Sequence, residues 1–197
     1  MIGQYDLPGS LRMIRNFILT KIFFPYARII RFPFDVRNKK WIKIGKNFTC
    51  GVGCRLETHP DKTKKITPLL IIGDNVQIND YVHIVSKEKV IIGNNVLMAS
   101  KIFISDLNHG NYSSEFQDSP LTPPNKRMLS SAPVIIKENV WLGEFVSVLP
   151  GVTIGKGTIV GANSVVSKSL PPNVIAVGSP AKPIKMFNLD LQKWEKI

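Results

Sequence analysis

The side chains that trade protons most readily near neutral pH are histidines, and the three in this chain stand in three different settings. His109 ends the run Asp106-Leu107-Asn108-His109, directly ahead of a long stretch with no hydrophobic period. Asp106 and Asn108 stand close enough in sequence to fix the tautomer of a neutral imidazole, and an imidazole so held is a suitable general base at physiological pH. A histidine at a loop boundary can equally serve only to hydrogen-bond the backbone, and spacing alone leaves both roles open. His83 closes Ile78-Asn79-Asp80-Tyr81-Val82-His83 and is expected to face outward, toward solvent or a ligand. His59, in His59-Pro60-Asp61-Lys62, reads as a solvated loop residue. The only two cysteines, Cys50 and Cys54, are spaced C-x3-C, which is poor evidence for a metal site or a disulfide; both are expected as small core residues, in keeping with a reducing cytoplasm.

The scaffold for these residues is written in a period of six. Aliphatic residues, with one Met, head successive hexads at Ile72, Ile78 and Ile84, then Ile92, Met98 and Ile104, then Ile136, Leu142, Val148, Ile154, Val160 and Val166. Four positions after a head comes a second apolar or small residue, as at Val76, Val82, Val96, Ile102, Val140, Val146, Val152, Thr158 and Ser164. A helix needs a period near 3.6 and a flat strand a period of two, so this pattern predicts short strands joined at corners. Three hexads make one triangular coil, and coils stack at about 4.8 Å, the spacing of paired strands. The fold predicted is all-β, a parallel β-helix. Gly, Asn and Asp in Ile72-Gly73-Asp74-Asn75 and Ile92-Gly93-Asn94-Asn95 suit its corners, where positive φ is often required.

Departures from the period are informative. Heads at Ile44, Cys50 and Leu56 give an earlier coil, followed by a charged interruption from Glu57 to Leu70. Ser86-Lys87-Glu88-Lys89 carries a two-residue excess and predicts a corner bulge. The stretch from Gly110 to Ser131, with Pro120, Pro123 and Pro124, is too long for an ordinary connection, and a functional, protruding loop is expected over 110–132. The expected organisation is an N-terminal basic segment over 1–43, a β-helix over 44–185 and a tail over 186–197.

A hydrophobic content of 44% predicts one domain with a full core rather than disorder. Residues 1–48 carry ten Lys or Arg against Asp6 and Asp35, so +8 of the chain's +12 lies there. Ser10 is expected to cap a helix with Leu11, Ile14, Ile18 and Ile22 on one face and Arg12, Arg15, Asn16 and Thr20 on another, ended by Pro25. The run is broken by Arg15 and Lys21, too short to span a membrane, and no A-x-A-like cleavage site follows, which argues against secretion. Two roles fit this helix: a cap over the open end of the β-helix, or attachment to an anionic membrane surface. No aromatic-interleaved basic sheet or recognition motif is present, so nucleic acid is not an expected partner.

The hexad run, Asn108-His109-Gly110, Asn139-Val140-Trp141-Leu142-Gly143 and the ending Pro171-Pro172-Asn173-Val174-Ile175-Ala176-Val177-Gly178-Ser179-Pro180-Ala181-Lys182 resemble the hexapeptide-repeat O-acetyltransferases, such as the maltose and galactoside acetyltransferases. The N-terminal segment and Gln77 to His83 resemble more closely the acetyltransferases that decorate bacterial O-antigen and capsule sugars. The resemblance implies a left-handed parallel β-helix acting as a homotrimer, with acetyl-CoA as cosubstrate and no metal, transferring acetyl to a sugar hydroxyl in a cleft between subunits. It implies His109 as the base that deprotonates the acceptor, without an acyl-enzyme. It implies acceptor contacts at Asn79, Tyr81, His83 and Trp141, and coenzyme A contacts at Gly143, Gly161, Ala162, Ser167, Lys182 and Lys185. Lys182 and Lys185 stand where the family has arginines, so a point charge replaces a bidentate fork. Tyr81 stands where the family has a second Asn, which points to a sugar other than a simple galactoside. The acceptor expected is a surface-polysaccharide unit, lipid-linked, met in the cytoplasm at the inner membrane. Two other classes stay in view: an N-acetyltransferase acting on a nucleotide-linked amino sugar, which shares fold and base, and a non-catalytic β-helix binding module.

Overall fold

A computed structural model describes residues 6–63 and 65–197, and there the six-residue period becomes three parallel sheets wound around one core. The first face carries Ile29–Ile30, Thr49–Cys50, Gln77–Ile78, Leu97–Met98, Trp141–Leu142, Ile159–Val160 and Val174–Gly178. The second carries Phe34–Arg37, Cys54–Thr58, His83–Ser86, Phe103–Ser105, Ser147–Val148 and Val165–Val166. The third carries Ile42–Ile44, Leu70–Ile72, Val90–Ile92, Val134–Ile136 and Thr153–Ile154. Hexads stack head on head: Ile72 pairs with Ile92, Met98 with Leu142 and Ile104 with Val148.

Every head from Ile72 to Val166, and every residue four positions after it named above, is buried. Each aliphatic side chain so placed contributes about 1.5–3 kcal/mol relative to exposure. The two polar inward residues are satisfied: Thr158 Oγ1 donates to the Pro171 carbonyl at 2.7 Å, and Ser164 Oγ accepts from Gly178 N–H at 3.0 Å. Cys50 and Cys54 are free thiols turned into the core. At one corner Asn47, Asn75, Asn95 and Asn139 adopt left-handed φ and stack, each Nδ2 donating to the Oδ1 of the next at 3.1–3.2 Å. Gly73 has a different reason to be glycine: a Cβ there would stand 2.4 Å from Asn94 Oδ1 of the next coil.

The structure corrects the sequence reading at both ends. The first coil begins at Ile29, inside the segment assigned to 1–43, with Ile29 pairing Thr49, Phe34 pairing Cys54 and Ile42 pairing Leu70. Residues 186–197 are not a loose tail: Ala181–Asn188 folds back antiparallel on Val174–Gly178, and Lys193–Lys196 pairs antiparallel with it in turn. The helix spans Leu7–Phe23 and is capped by Asp6, whose carboxylate accepts from Gly9 N–H at 2.9 Å, rather than by Ser10. Pro8 lacks an N–H and suits a first helical turn, so the helix starts before Pro8-Gly9 instead of after it.

The helix lies along Ile29–Ile30, the edge strand of the first face, with its polar side inward. Asn16 and Thr20 are buried while Leu11, Ile14, Ile18 and Ile22 are each more than half exposed. Thr20 Oγ1 accepts from Ile30 N–H at 2.8 Å and donates to the Asn16 carbonyl at 2.6 Å. Asn16 Oδ1 accepts from Phe32 N–H at 3.4 Å, and Lys21 Nζ donates to the Ala27 carbonyl at 2.7 Å. The open edge of the coil is thus capped by side-chain hydrogen bonds. Thr20→Val strands the buried Ile30 N–H and is expected to cost about 1–3 kcal/mol in urea denaturation, whereas Ile18→Gln, on the outward side, should stay within about 0.5 kcal/mol of the parent.

Candidate active site

The corner between the first and second faces gathers most of the residues expected to meet a ligand. Asn79 N–H donates to the Met98 carbonyl, Ala99 N–H to Leu142, Gly143 N–H to Val160 and Gly161 N–H to Ala176, so these four stack in a column. Below Asn79 the column carries only the small residues Ala99, Gly143 and Gly161, so no long side chain of the column itself covers the backbone there. A Cβ on Gly143 would lie 2.6 Å from Ala162 N, and one on Gly161 2.8 Å from Val177 Cγ1, so glycine is required by close stacking. Lys182 pairs with Val177 and Lys185 with Ile175 in the antiparallel ribbon at the foot of this column. At its upper end Tyr81 adopts a φ of 60° and its ring covers Gly53. Trp141 faces out of the first face, about half exposed, between Leu97 and Ile159.

His109 belongs to a different corner. It lies on Leu107–His109, which pairs antiparallel with Leu129–Ser131 in a two-stranded ribbon separate from the three faces, with His109 opposite Leu129. Asn108 and His109 are both exposed. The Tyr112 hydroxyl donates to the His109 backbone carbonyl, and Arg127 Nη1 donates to that hydroxyl at 2.8 Å, tying the loop to the ribbon. Asp106, at the root of the ribbon, is fully buried, but its carboxylate is turned to the predicted bulge. It accepts from Ser86 Oγ at 3.0 Å and from the N–H groups of Lys87, Glu88 and Lys89 at 2.7, 2.9 and 2.7 Å. Asp106 therefore anchors the strand that carries His109 rather than touching the imidazole, a role invisible without the bulge beside it. Ser167, directly after Val165–Val166, lies at this same second-to-third corner, away from Gly143, Gly161 and Ala162.

Between the two corners the outward side of the second face stacks Arg55, His83, Phe103 and Ser147. His83 Nε2 lies 3.0 Å from Glu57 Oε1, its ring is 5.5 Å from that of Phe103, and Arg55 Nε reaches Nε2 at 3.0 Å. Glu57 is buried and also accepts from Arg37 Nη1 at 3.0 Å. Glu57 and Arg55 were not anticipated. The signal was present, because Arg55 precedes the head Leu56 as His83 precedes Ile84.

This coil and these corners define the hexapeptide-repeat acetyltransferases, and the chain belongs to that family. The family described as bacterial transferase hexapeptide (six repeats) matches residues 133–168. The chain is 48% identical to WbbJ of Escherichia coli (strain K12), named for lipopolysaccharide biosynthesis O-acetyl transfer, over 98% of this chain and 96% of that one. It is 37% identical to the galactoside O-acetyltransferase of the same organism over 59% of this chain and 54% of that one. Among solved structures it resembles AntD, an N-acyltransferase from Bacillus cereus solved with dTDP-4-amino-4,6-dideoxyglucose and coenzyme A, with a TM-score of 0.68 and 25% identity over 88% of this chain and 90% of that one. The chain is an acetyl-CoA-dependent acyltransferase.

Burial holds the His83 imidazole below the ordinary histidine value, and the hydrogen bond to Glu57 offsets this only in part. The unfolded chain then takes up this proton first as pH falls, so the contribution to stability is complete above about pH 6.5 and is lost as pH drops toward the lower folded value. Denaturant titrations from about pH 7.5 to 5 should show falling stability, with a shallower slope in His83→Gln.

Proposed function

We propose that the chain transfers acetyl from acetyl-CoA to a saccharide hydroxyl during assembly of a surface polysaccharide such as O-antigen or capsule, with His109 as general base. The near-full-length identity to WbbJ carries the choice of acceptor class. His109 Nε2 or Nδ1 takes the proton as the acceptor oxygen attacks the thioester carbonyl. The tetrahedral intermediate collapses, the C–S bond breaks, and the imidazolium returns the proton to the departing thiolate. Neither step needs an acyl-enzyme. The groove at Gly143, Gly161 and Ala162 takes the pantetheine arm, with Lys182, Lys185 and Ser167 completing the coenzyme contacts, and Asn79, Tyr81, His83 and Trp141 meet the sugar. His109→Ala should lower turnover about 10²- to 10⁴-fold while coenzyme binding, followed by calorimetry, changes little; full turnover in the variant rejects the base.

The division of these residues between two corners of one chain supports a homotrimer of left-handed coils. In it the groove corner of one subunit faces the His109 ribbon and Ser167 of the next, so each cleft is built by two chains. Light scattering at micromolar concentration should return three times the 22.0 kDa chain mass, and a fully active monomer refutes this assembly. The acceptor is lipid-linked and is met in the cytoplasm at the inner membrane. A second reading, N-acetylation of a nucleotide-linked amino sugar, draws on the likeness to AntD; parallel assays with amino and hydroxyl acceptors separate the two.

A further inference from the structure

A surface helix ordinarily hides its apolar stripe and shows its polar side to water. The helix Leu7–Phe23 is mounted the other way round. Leu7, Leu11, Ile14, Ile18 and Ile22 recur at three- and four-residue intervals, which puts them on one side, and their exposure runs from 52% to 74%. The opposite side is fastened down by Asn16 and Thr20, so the stripe cannot roll inward without breaking the bonds that cap Ile30 and Phe32. Phe23 and Tyr26, 55% and 74% exposed, extend the apolar surface past the end of the helix.

We infer that this helix is a docking surface for an anionic lipid bilayer, lying in the interface plane with its stripe among the acyl chains. Charge selects the occupant. The helix carries Arg12, Arg15 and Lys21 and no acidic residue, and Arg15 and Lys21 border the stripe on either side. Arg28, just beyond it, is exposed and in no ion pair among the described residues. A second copy of this face would bring like charges together with no counter-charge to meet them, whereas anionic headgroups supply it. The helix has 17 residues, and none among the described residues is long and apolar enough to cross a membrane, so it lies on the surface.

The placement also orients the site. A cleft of about 410 Å³ runs between the helix and the first face, from Met13 and Phe17 past Arg28 and Arg31 to Gln77 and Asn79. A saccharide held by its lipid at the interface therefore reaches Asn79 from the helix side. This deepens the reading of a lipid-linked acceptor, and its acceptor part rests on that reading; the docking itself rests on burial and charge and is measured without acetyl transfer, so either can fail alone.

The test is sedimentation of the full chain with vesicles of phosphatidylcholine alone or with about 30% phosphatidylglycerol, at about 0.15 M salt. Binding is expected to the anionic vesicles and not to the neutral ones. Arg12→Gln with Arg15→Gln should weaken it about 25-fold, about fivefold for each charge lost near the surface. Ile14→Gln with Ile18→Gln should abolish it while melting temperature and light-scattering mass stay at parent values. Parent protein that stays in solution with anionic vesicles overturns the inference. So does an Ile14/Ile18 variant that still binds, or one whose mass falls, which would assign the stripe to a second copy.

Discussion

Everything in this molecule depends on backbone pairing between successive coils. Each strand is only a few residues long and gains its hydrogen bonds almost wholly from the coils before and after it, as Gly93 does from Ile136 and Asn139 from Asn94. The inward side chains are therefore locked into stacks, and the outward ones are locked with them. A residue's place in its hexad decides whether it is core, corner or outward face, and this is why residues far apart in sequence, such as Asn79 and Gly161, come to stand in one column. The winding is interrupted at two places that belong together: the ribbon bearing His109 leaves between two coils, and the extra residues at 86–89 create the donor cluster that Asp106 accepts from.

Much of the fold was legible in the sequence because period six has no competing interpretation over a dozen hexads. Every predicted head except the half-buried Ile44 is in the core, the excess at 86–89 falls where the strand His83–Ser86 ends and Val90–Ile92 has yet to begin, and Asn75 and Asn95 turn corners as expected. The first coil was not legible ahead of Ile44, since Arg28, Arg31 and Arg37 lie among its apolar residues and no glycine follows Ile30 or Val36. Amphipathicity was read correctly for the N-terminal helix, but a sequence states which side is apolar and not which side meets the protein. Here two polar residues at the right spacing, Asn16 and Thr20, outcompete the stripe because an open sheet edge needs hydrogen-bonding partners more than it needs contact.

The candidate site was legible as a set of residues and not as a place. His109 and the glycine column can be picked out one by one, and only the hexad count separates them, since His109 follows Ile104, the third head of its coil, and Gly143 follows Leu142, the second of its own. Glu57 was passed over because it begins a charged interruption, although it extends the strand Cys54–Thr58 and holds His83 from within. The carboxylate that supports an imidazole is Glu57 beside His83, while Asp106 turns away from His109.

The two ends of the coil have a consequence of another kind. A parallel coil is by construction a template for more of itself, because its last strand offers the same donors and acceptors as its first. Thr20 and Asn16 occupy those groups at one end, and at the other the chain reverses into Ala181–Asn188, so that the first face finishes antiparallel. The protein is in this sense a filament arrested after a few turns, and the residues that arrest it keep a solenoid from growing head to tail with its neighbours.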